Sequence, residues 1–219
     1  MQKLKIGILI SGGGSNMHSI IRACKAPNFP VEVAVVISNR PEAKGINIAK
    51  DEEVPAFIID HKDYDDRKSF EDALHTCLTE HAVEMVCNAG FMRILTEDFV
   101  DAWLGRQINI HPSLLPSFKG LHIHERVLEA GVKITGCSVH YVDLEVDAGA
   151  IVAQAAVPVL SGDNVESLAS RVLEAEHQLY PHALRMIAEK RANLVGGVVK
   201  LKNDLIAEPS LYSPTLYIQ

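Results

Sequence analysis

No stretch of this chain comes near the roughly 18 consecutive apolar residues of a membrane-crossing helix. The N-terminus runs from Met1-Gln2-Lys3 into a short strand-like run, without the long apolar region and small-residue cleavage site of a secretory signal. A cytoplasmic protein is the expectation. Basic residues are outnumbered. The chain carries 21 Lys and Arg against 28 Asp and Glu, a net charge of −7, which speaks against gripping nucleic-acid backbone or an anionic membrane. Cysteine is scarce. Cys24, Cys77, Cys87 and Cys137 form no C-x-x-C pair and fall in apolar or helix-like stretches. They read as reduced, packed thiols rather than disulfides or a zinc site. Repeats and low-complexity tracts are absent.

At roughly 150 residues per domain, 219 residues make one large domain or at most two small ones, long enough to bury a sizeable core. The first half alternates apolar runs with helix-like segments. Leu4–Ile10, Val31–Ser38, Pro55–Ile59 and Val83–Cys87 read as strands, with Met17–Lys25, Pro41–Glu52 and Asp65–His81 as helices between them. Continuous apolar strands separated by helices predict an α/β fold, a Rossmann-like open and mostly parallel sheet with helices on both faces. Later, Gln107–His111 reads as a strand and Glu125–Gly131 as the end of a helix. Thr135–Val142 and Ile151–Val157 flank the loop Asp143–Ala150 and predict an antiparallel hairpin in the C-terminal part. Glu166–Lys190 reads as one long helix. Beyond Leu194 periodicity fades and Pro209 and Pro214 appear. A domain of residues 1–194 followed by a tail of residues 195–219 is the expectation.

Chemistry concentrates in three segments. Ser11-Gly12-Gly13-Gly14-Ser15-Asn16 joins the first strand to the first helix. Glycines let backbone approach an anion closely, a helix N-terminus carries partial positive charge, and Ser15 and Asn16 add donors or a cap. No Gly-Lys-Ser/Thr follows, so this is not a Walker loop. Met17 stands where a dinucleotide fingerprint needs its third glycine, and Ser38-Asn39-Arg40 offers no acid to a ribose diol. The loop reads as a cradle for a monophosphate, against the alternative of a plain glycine turn.

In Ile108-Asn109-Ile110-His111-Pro112-Ser113, strand alternation turns Asn109 and His111 to one face. An amide can donate to a developing oxyanion and an imidazole can move protons near neutrality. Pro112 and Pro116 stiffen the exit. The alternative is an Asn-His pair satisfying itself or the loop. His111, His122 and His124 invite a metal reading, but no further ligand has a supporting pattern and no metal is expected. In the hairpin loop, Asp147 precedes Ala148-Gly149 and is the carboxylate best suited to turn inward onto His111, fix its tautomer and raise its pKa. Glu145 reads as part of a solvated turn, and Asp143 stays open between the two roles.

These segments resemble the folate-dependent formyltransferase family over roughly Lys5 to Lys190. The resemblance extends to Ala89-Gly90-Phe91-Met92-Arg93-Ile94-Leu95 and to Glu176-His177 followed by Tyr180-Pro181. It implies formyl transfer from 10-formyltetrahydrofolate, as co-substrate, to the amine of glycinamide ribonucleotide in de novo purine synthesis toward IMP. Asn109, His111 and Asp147 would be catalytic. Gly14, Ser15, Asn16, Gly90 and the run Leu173-Glu174-Ala175-Glu176 would hold the ribonucleotide. Arg67, Met92, Arg93, Ile94, Leu95, Asn109 and the loop Asp143-Leu144-Glu145-Val146-Asp147 would hold the folate. The partners implied are these small molecules, with no metal, nucleic acid or membrane, in a monomer or homodimer. Two positions depart from the family. Leu173 stands where relatives carry Lys or Gln, and Asn88 replaces an apolar residue, either satisfied within its strand or altering the pocket.

Overall fold

The computed structural model describes residues 2–202 and residue 213. Most of the expected tail, 203–212 and 214–219, lies outside the described residues. Strands are β1 (Leu4–Ile10), β2 (Val31–Ser38), β3 (Ala56–Ile58), β4 (Met85–Asn88), β5 (Gln107–His111), β6 (Ile134–Tyr141), β7 (Ile151–Pro158), β8 (Ala192–Val195) and β9 (Val198–Leu201). Helices are α1 (Ser15–Cys24), α2 (Gly45–Asp51), α3 (Arg67–Glu80), α4 (Glu97–Ala102), α5 (Ile123–Ala130) and α6 (Val165–Ala188).

Seven strands form one sheet in the order β3-β2-β1-β4-β5-β6-β7. β1 pairs in parallel with both β2 and β4, and β4 pairs in parallel with β5. β5–β6 and β6–β7 are antiparallel, as the hairpin pattern predicts. The chain winds outward from β1 to β3, then returns to add β4 on the other side. That reversal opens a crevice at the C-terminal ends of β1 and β4, where open α/β sheets place their ligands.

Alternation along β1 shows why the sheet is covered on both faces. Ile6, Ile8 and Ile10 enter one core with Met17 and Ile20 of α1 and Tyr180, Ala183 and Leu184 of α6. Leu9 enters a second core with Phe70, Leu74 and Leu78 of α3 and Trp103. Each fully buried aliphatic side chain contributes about 1.5–3 kcal/mol relative to exposure. Asn88, one of the departures from the family, is satisfied within the sheet: its Oδ1 accepts from Gln107 Nε2 at 3.0 Å. Tyr180 Oη donates to the Asn88 carbonyl at 3.0 Å, tying α6 to the same strand.

Some boundaries differ from the sequence pattern. α2 begins at Gly45 rather than Pro41, because Pro41–Lys44 are spent in a turn. α5 begins at Ile123, two residues before the expected Glu125. α4 fills the β4–β5 connection, where no helix is expected. α6 runs through Pro181 without a break and starts at a capping box between Asn164 and Ser167. The β8–β9 hairpin crosses the expected boundary at 194, so regular structure continues to Leu201. Cys24 and Cys77 are half-buried, Cys87 and Cys137 buried, and all four are free. Among the described residues no helix is long and apolar enough to cross a membrane.

Candidate active site

One side of the crevice is made by the turn after β1. Gly14 caps α1 with φ +75° and no side-chain cap bond, and the first turn carries no acidic residue. The first N–H groups of α1 thus have no intrahelical acceptor and lie at the positive end of the helix dipole. A Cβ on Gly14 would lie 2.8 Å from the Gly45 Cα at the start of α2, so a side chain here meets backbone as well as unfavourable φ. Ser15 is exposed. Asn16 is buried and does not cap the helix; its Nδ2 donates to Glu176 Oε2 at 2.7 Å, joining α1 to α6. Burial pushes the Glu176 carboxyl up in pKa, and the Asn16 bond offsets part of that. Of the expected α6 run, Glu176 reaches this turn. Leu173 and Ala175 are half-buried and Glu174 faces solvent.

The loops after β1 and β4 are tied together. Ser11 Oγ donates to Asn39 Oδ1 at 2.6 Å and accepts from Met92 N at 2.8 Å, while Ser11 N donates to the Gly90 carbonyl at 3.2 Å. Sequence reasoning gave neither Ser11 nor Asn39 a role. The available signal was a pair of polar residues at the inner ends of two adjacent parallel strands.

Past Gly90, Met92 and Ile94 are 57% and 65% exposed. In the 143–147 loop, Leu144 and Val146 are 52% and 48% exposed. These two loops thus hold four large apolar side chains in water. Arg67 and Arg93 line one cavity of about 210 Å³, together with His61, Tyr64, Asp65, Asp66 and Phe70. Arg93 Nε is buried without a hydrogen-bond partner, and Leu95 is half-buried.

The antiparallel strands build the other side. Asn109 lies opposite His140 and His111 opposite Ser138. β6 ends beside the start of β5, yet Asp147 meets His111 at the far end of that strand, so the connecting loop folds back over the sheet. Asp147 Oδ2 lies 3.3 Å from His111 Nδ1, and Oδ1 lies 3.6 Å from His140 Nε2. Gly120 N donates to Asp147 Oδ2 at 2.9 Å. The loop closes tightly: a Cβ on Gly149 would fall 1.9 Å from the Tyr141 carbonyl oxygen. Asp147 itself has φ +53°, a left-handed conformation that costs most residues about 1–2 kcal/mol and that Asp tolerates. Such strain gathers where a side chain must be aimed.

His111 Nε2 donates to the Phe118 carbonyl at 2.9 Å, leaving Nδ1 toward Asp147. Both ring nitrogens therefore face oxygen acceptors, which suits an imidazolium. The expectation that Asp147 raises the pKa of His111 needs correcting in its net result. Burial pulls the imidazole down, the Phe118 carbonyl and Asp147 pull it up, and burial wins, leaving the value below the ordinary one. For Asp147, burial pushes up, but His140, the Gly120 N–H and His111 together outweigh it and hold the carboxyl below its usual value. His140 was given no role from sequence. Its Nδ1 donates to the Tyr141 carbonyl at 2.8 Å, and its Nε2 lies 3.2 Å from Asn109 Nδ2 and 3.6 Å from Asp147 Oδ1. It thus orients the Asn109 amide. Strand register, invisible without the pairing of β5 and β6, was the missing signal.

Glu145 is 75% exposed at its side chain and pairs with Lys119 at 2.7 Å. Asp143 Oδ1 accepts from Leu144 N in a local turn. His122 sits beside Glu125 in solvent. Among the described residues no three His, Cys, Asp or Glu side chains are grouped to hold a metal ion.

A family model described as formyl transferase matches residues 4–184. The chain is 50% identical over 186 residues to the trifunctional purine biosynthetic protein adenosine-3 of Gallus gallus, covering 85% of itself and 18% of that protein. It thus spans about a fifth of the length of such relatives. It is 40% identical to the phosphoribosylglycinamide formyltransferase of Haemophilus influenzae, over 87% of itself and 90% of that protein. The solved glycinamide ribonucleotide transformylase 1 of Symbiobacterium toebii is similar with a TM-score of 0.89 at 44% identity, over 92% of this chain and 95% of that one.

Proposed function

The chain belongs to the formyl transferase family, and on that footing we propose that it is a phosphoribosylglycinamide formyltransferase. It moves the formyl group of 10-formyltetrahydrofolate to the amine of glycinamide ribonucleotide, a step of de novo purine synthesis. The observation that carries this reading is the convergence of Asn109, His111 and Asp147, with Asp147 Oδ2 3.3 Å from the imidazole, in a sheet whose first turn offers an uncapped helix N-terminus.

The ribonucleotide phosphate binds at Gly14, Ser15 and Asn16, where backbone N–H groups and the helix dipole favour an anion. Gly90 and the α6 run complete the site, Glu176 taking the sugar hydroxyls as a buried acceptor. The folate rings lie against Met92, Ile94, Leu144 and Val146, whose exposed apolar surface fits a flat heteroaromatic ligand. Arg67 and Arg93, with Leu95 behind them, hold the carboxylate end of the folate through their guanidinium charge.

The neutral amine attacks the formyl carbon and a new C–N bond forms. Asn109 donates to the developing oxyanion, a contact worth about 3 kcal/mol in the barrier. The attacking nitrogen, now cationic, gives a proton to His111. Burial disfavours the imidazolium at rest, but the oxyanion and the ionised Asp147 stabilise it during turnover. Cleavage of the bond between the formyl carbon and the folate nitrogen follows, and that nitrogen takes the proton. The products are formylglycinamide ribonucleotide and tetrahydrofolate.

The test is an assay of purified protein with 10-formyltetrahydrofolate, with and without glycinamide ribonucleotide. Tetrahydrofolate release that requires the ribonucleotide and yields its formyl derivative supports the transferase. Release without ribonucleotide makes the protein a hydrolase, and binding without release makes it a non-catalytic module; either overturns the reading.

A further inference from the structure

We infer that Arg126 of α5 is a positioning residue for the His111–Asp147 pair. The inference rests on the reading above and extends it to a side chain outside the site so far described. Arg126 is exposed and forms no ion pair with either member of the pair, though its positive charge adds to the lowering of the His111 pKa. Its Nη1 donates to the Lys119 carbonyl at 2.6 Å and to the Leu121 carbonyl at 3.3 Å, and its guanidinium carbon sits 5.7 Å from the centre of the Phe118 ring.

Those contacts bracket the two residues, Phe118 and Gly120, that serve the site through backbone. The Phe118 carbonyl accepts from His111 Nε2 at 2.9 Å, and Gly120 N donates to Asp147 Oδ2 at 2.9 Å. One peptide segment therefore fixes the imidazole from one side and the carboxylate from the other. The segment is an awkward one, with Phe118 at φ +54°, Gly120 at +84° and His122 at +56°. Backbone in that region needs outside support to hold one shape. The fork of a guanidinium, with several donors in a fixed plane and an affinity for aromatic faces, is suited to clamp two carbonyls and a ring at once. Lys119 adds a second tie through Glu145, but that pair is exposed and screened.

The consequence is specific. Without the clamp, Phe118 and Gly120 drift, and the His111 ring loses both its preferred tautomer and its aim at Asp147. A misplacement of roughly half an ångström is expected to cost about tenfold in turnover, against about a hundredfold for a full ångström. The ribonucleotide site, built on α1 and α6, is untouched.

Steady-state kinetics of R126A and R126K, with melting temperatures and imidazole ¹H–¹⁵N spectra, test this. The expected result is a kcat of R126A down about tenfold, with the KM for ribonucleotide within about twofold and folding intact. R126K, which keeps one donor and the charge, recovers part of the loss. In the spectra His111 changes from a single Nε2-protonated form to a tautomer mixture in R126A. A kcat within about threefold of the parent, or a ribonucleotide KM that rises in step with the loss of kcat, overturns the inference. So does an unchanged His111 tautomer. Should the parent protein show no transfer, the proposed function fails, and the spectra alone still decide the role of Arg126.

Discussion

At the end of β1 the chain builds its ligand-facing surface from backbone: an uncapped helix start, a left-handed glycine, and close packing of Gly14 on Gly45. On β5 and β6 it builds with side chains, where Asn109, His111, His140 and Asp147 form a network with contacts of 3.2–3.6 Å. The first arrangement suits an anion whose charge is present throughout the reaction, because fixed dipoles need no proton to work. The second suits charge that appears and disappears, because an imidazole and a carboxylate change state with it. On the proposed function, phosphate binding falls to the turn after β1 and chemistry to the pair of strands β5 and β6.

The sharpest way to break this division is D147N. It keeps the shape and the backbone preference but removes the charge, so kcat is expected to fall about a thousandfold while the KM for ribonucleotide changes little. Matching losses in both would join what the comparison separates. Next comes G14A, which places a methyl group 2.8 Å from the Gly45 backbone at φ +75°. Its expected effect is the reverse, a rise of about tenfold or more in ribonucleotide KM with a smaller change in kcat. N16A removes the bond to Glu176 and leaves a buried carboxyl without its donor. That is worth about 1–3 kcal/mol, read as a loss of stability and a several-fold weaker ribonucleotide affinity.

A titration sharpens the chemical side. Burial holds His111 below the ordinary imidazole value and Asp147 pulls it upward, so His111 in D147N titrates lower than in the parent, as NMR of the ring can follow. The sign for stability follows from the same shift. A His that resists protonation in the fold costs stability as pH falls below the unfolded value, until the folded value is passed. The smallest effect is expected for E145Q. The Glu145–Lys119 pair is exposed, so kcat and melting temperature should stay within about twofold and a degree or two of the parent.

Local patterns carried much of this into the sequence. The strand limits Leu4–Ile10, Val31–Ser38 and Gln107–His111 follow from apolar runs ended by small or polar residues. The turn after β1 follows from its small residues, although α1 begins at Ser15 rather than the expected Met17, and the shared face of Asn109 and His111 follows from strand alternation. What stayed hidden depends on distant partners. His140 faces Asn109 only because β5 and β6 pair in one register. The bond between Asn16 and Glu176 spans 160 residues. The low pKa of His111 is a property of burial, which no short motif encodes. α4 was missed because six residues carry too few turns for a periodic signal.

The left-handed backbone at Asp147 also bears on how such a site can decay. Asn and Gly are the residues that adopt that conformation most readily, and each is one base change away from an Asp codon. Either would silence the carboxylate without disturbing the turn that carries it. On the proposed function, a single base change at this codon therefore ends turnover while leaving the fold and the anion-facing turn after β1 in place.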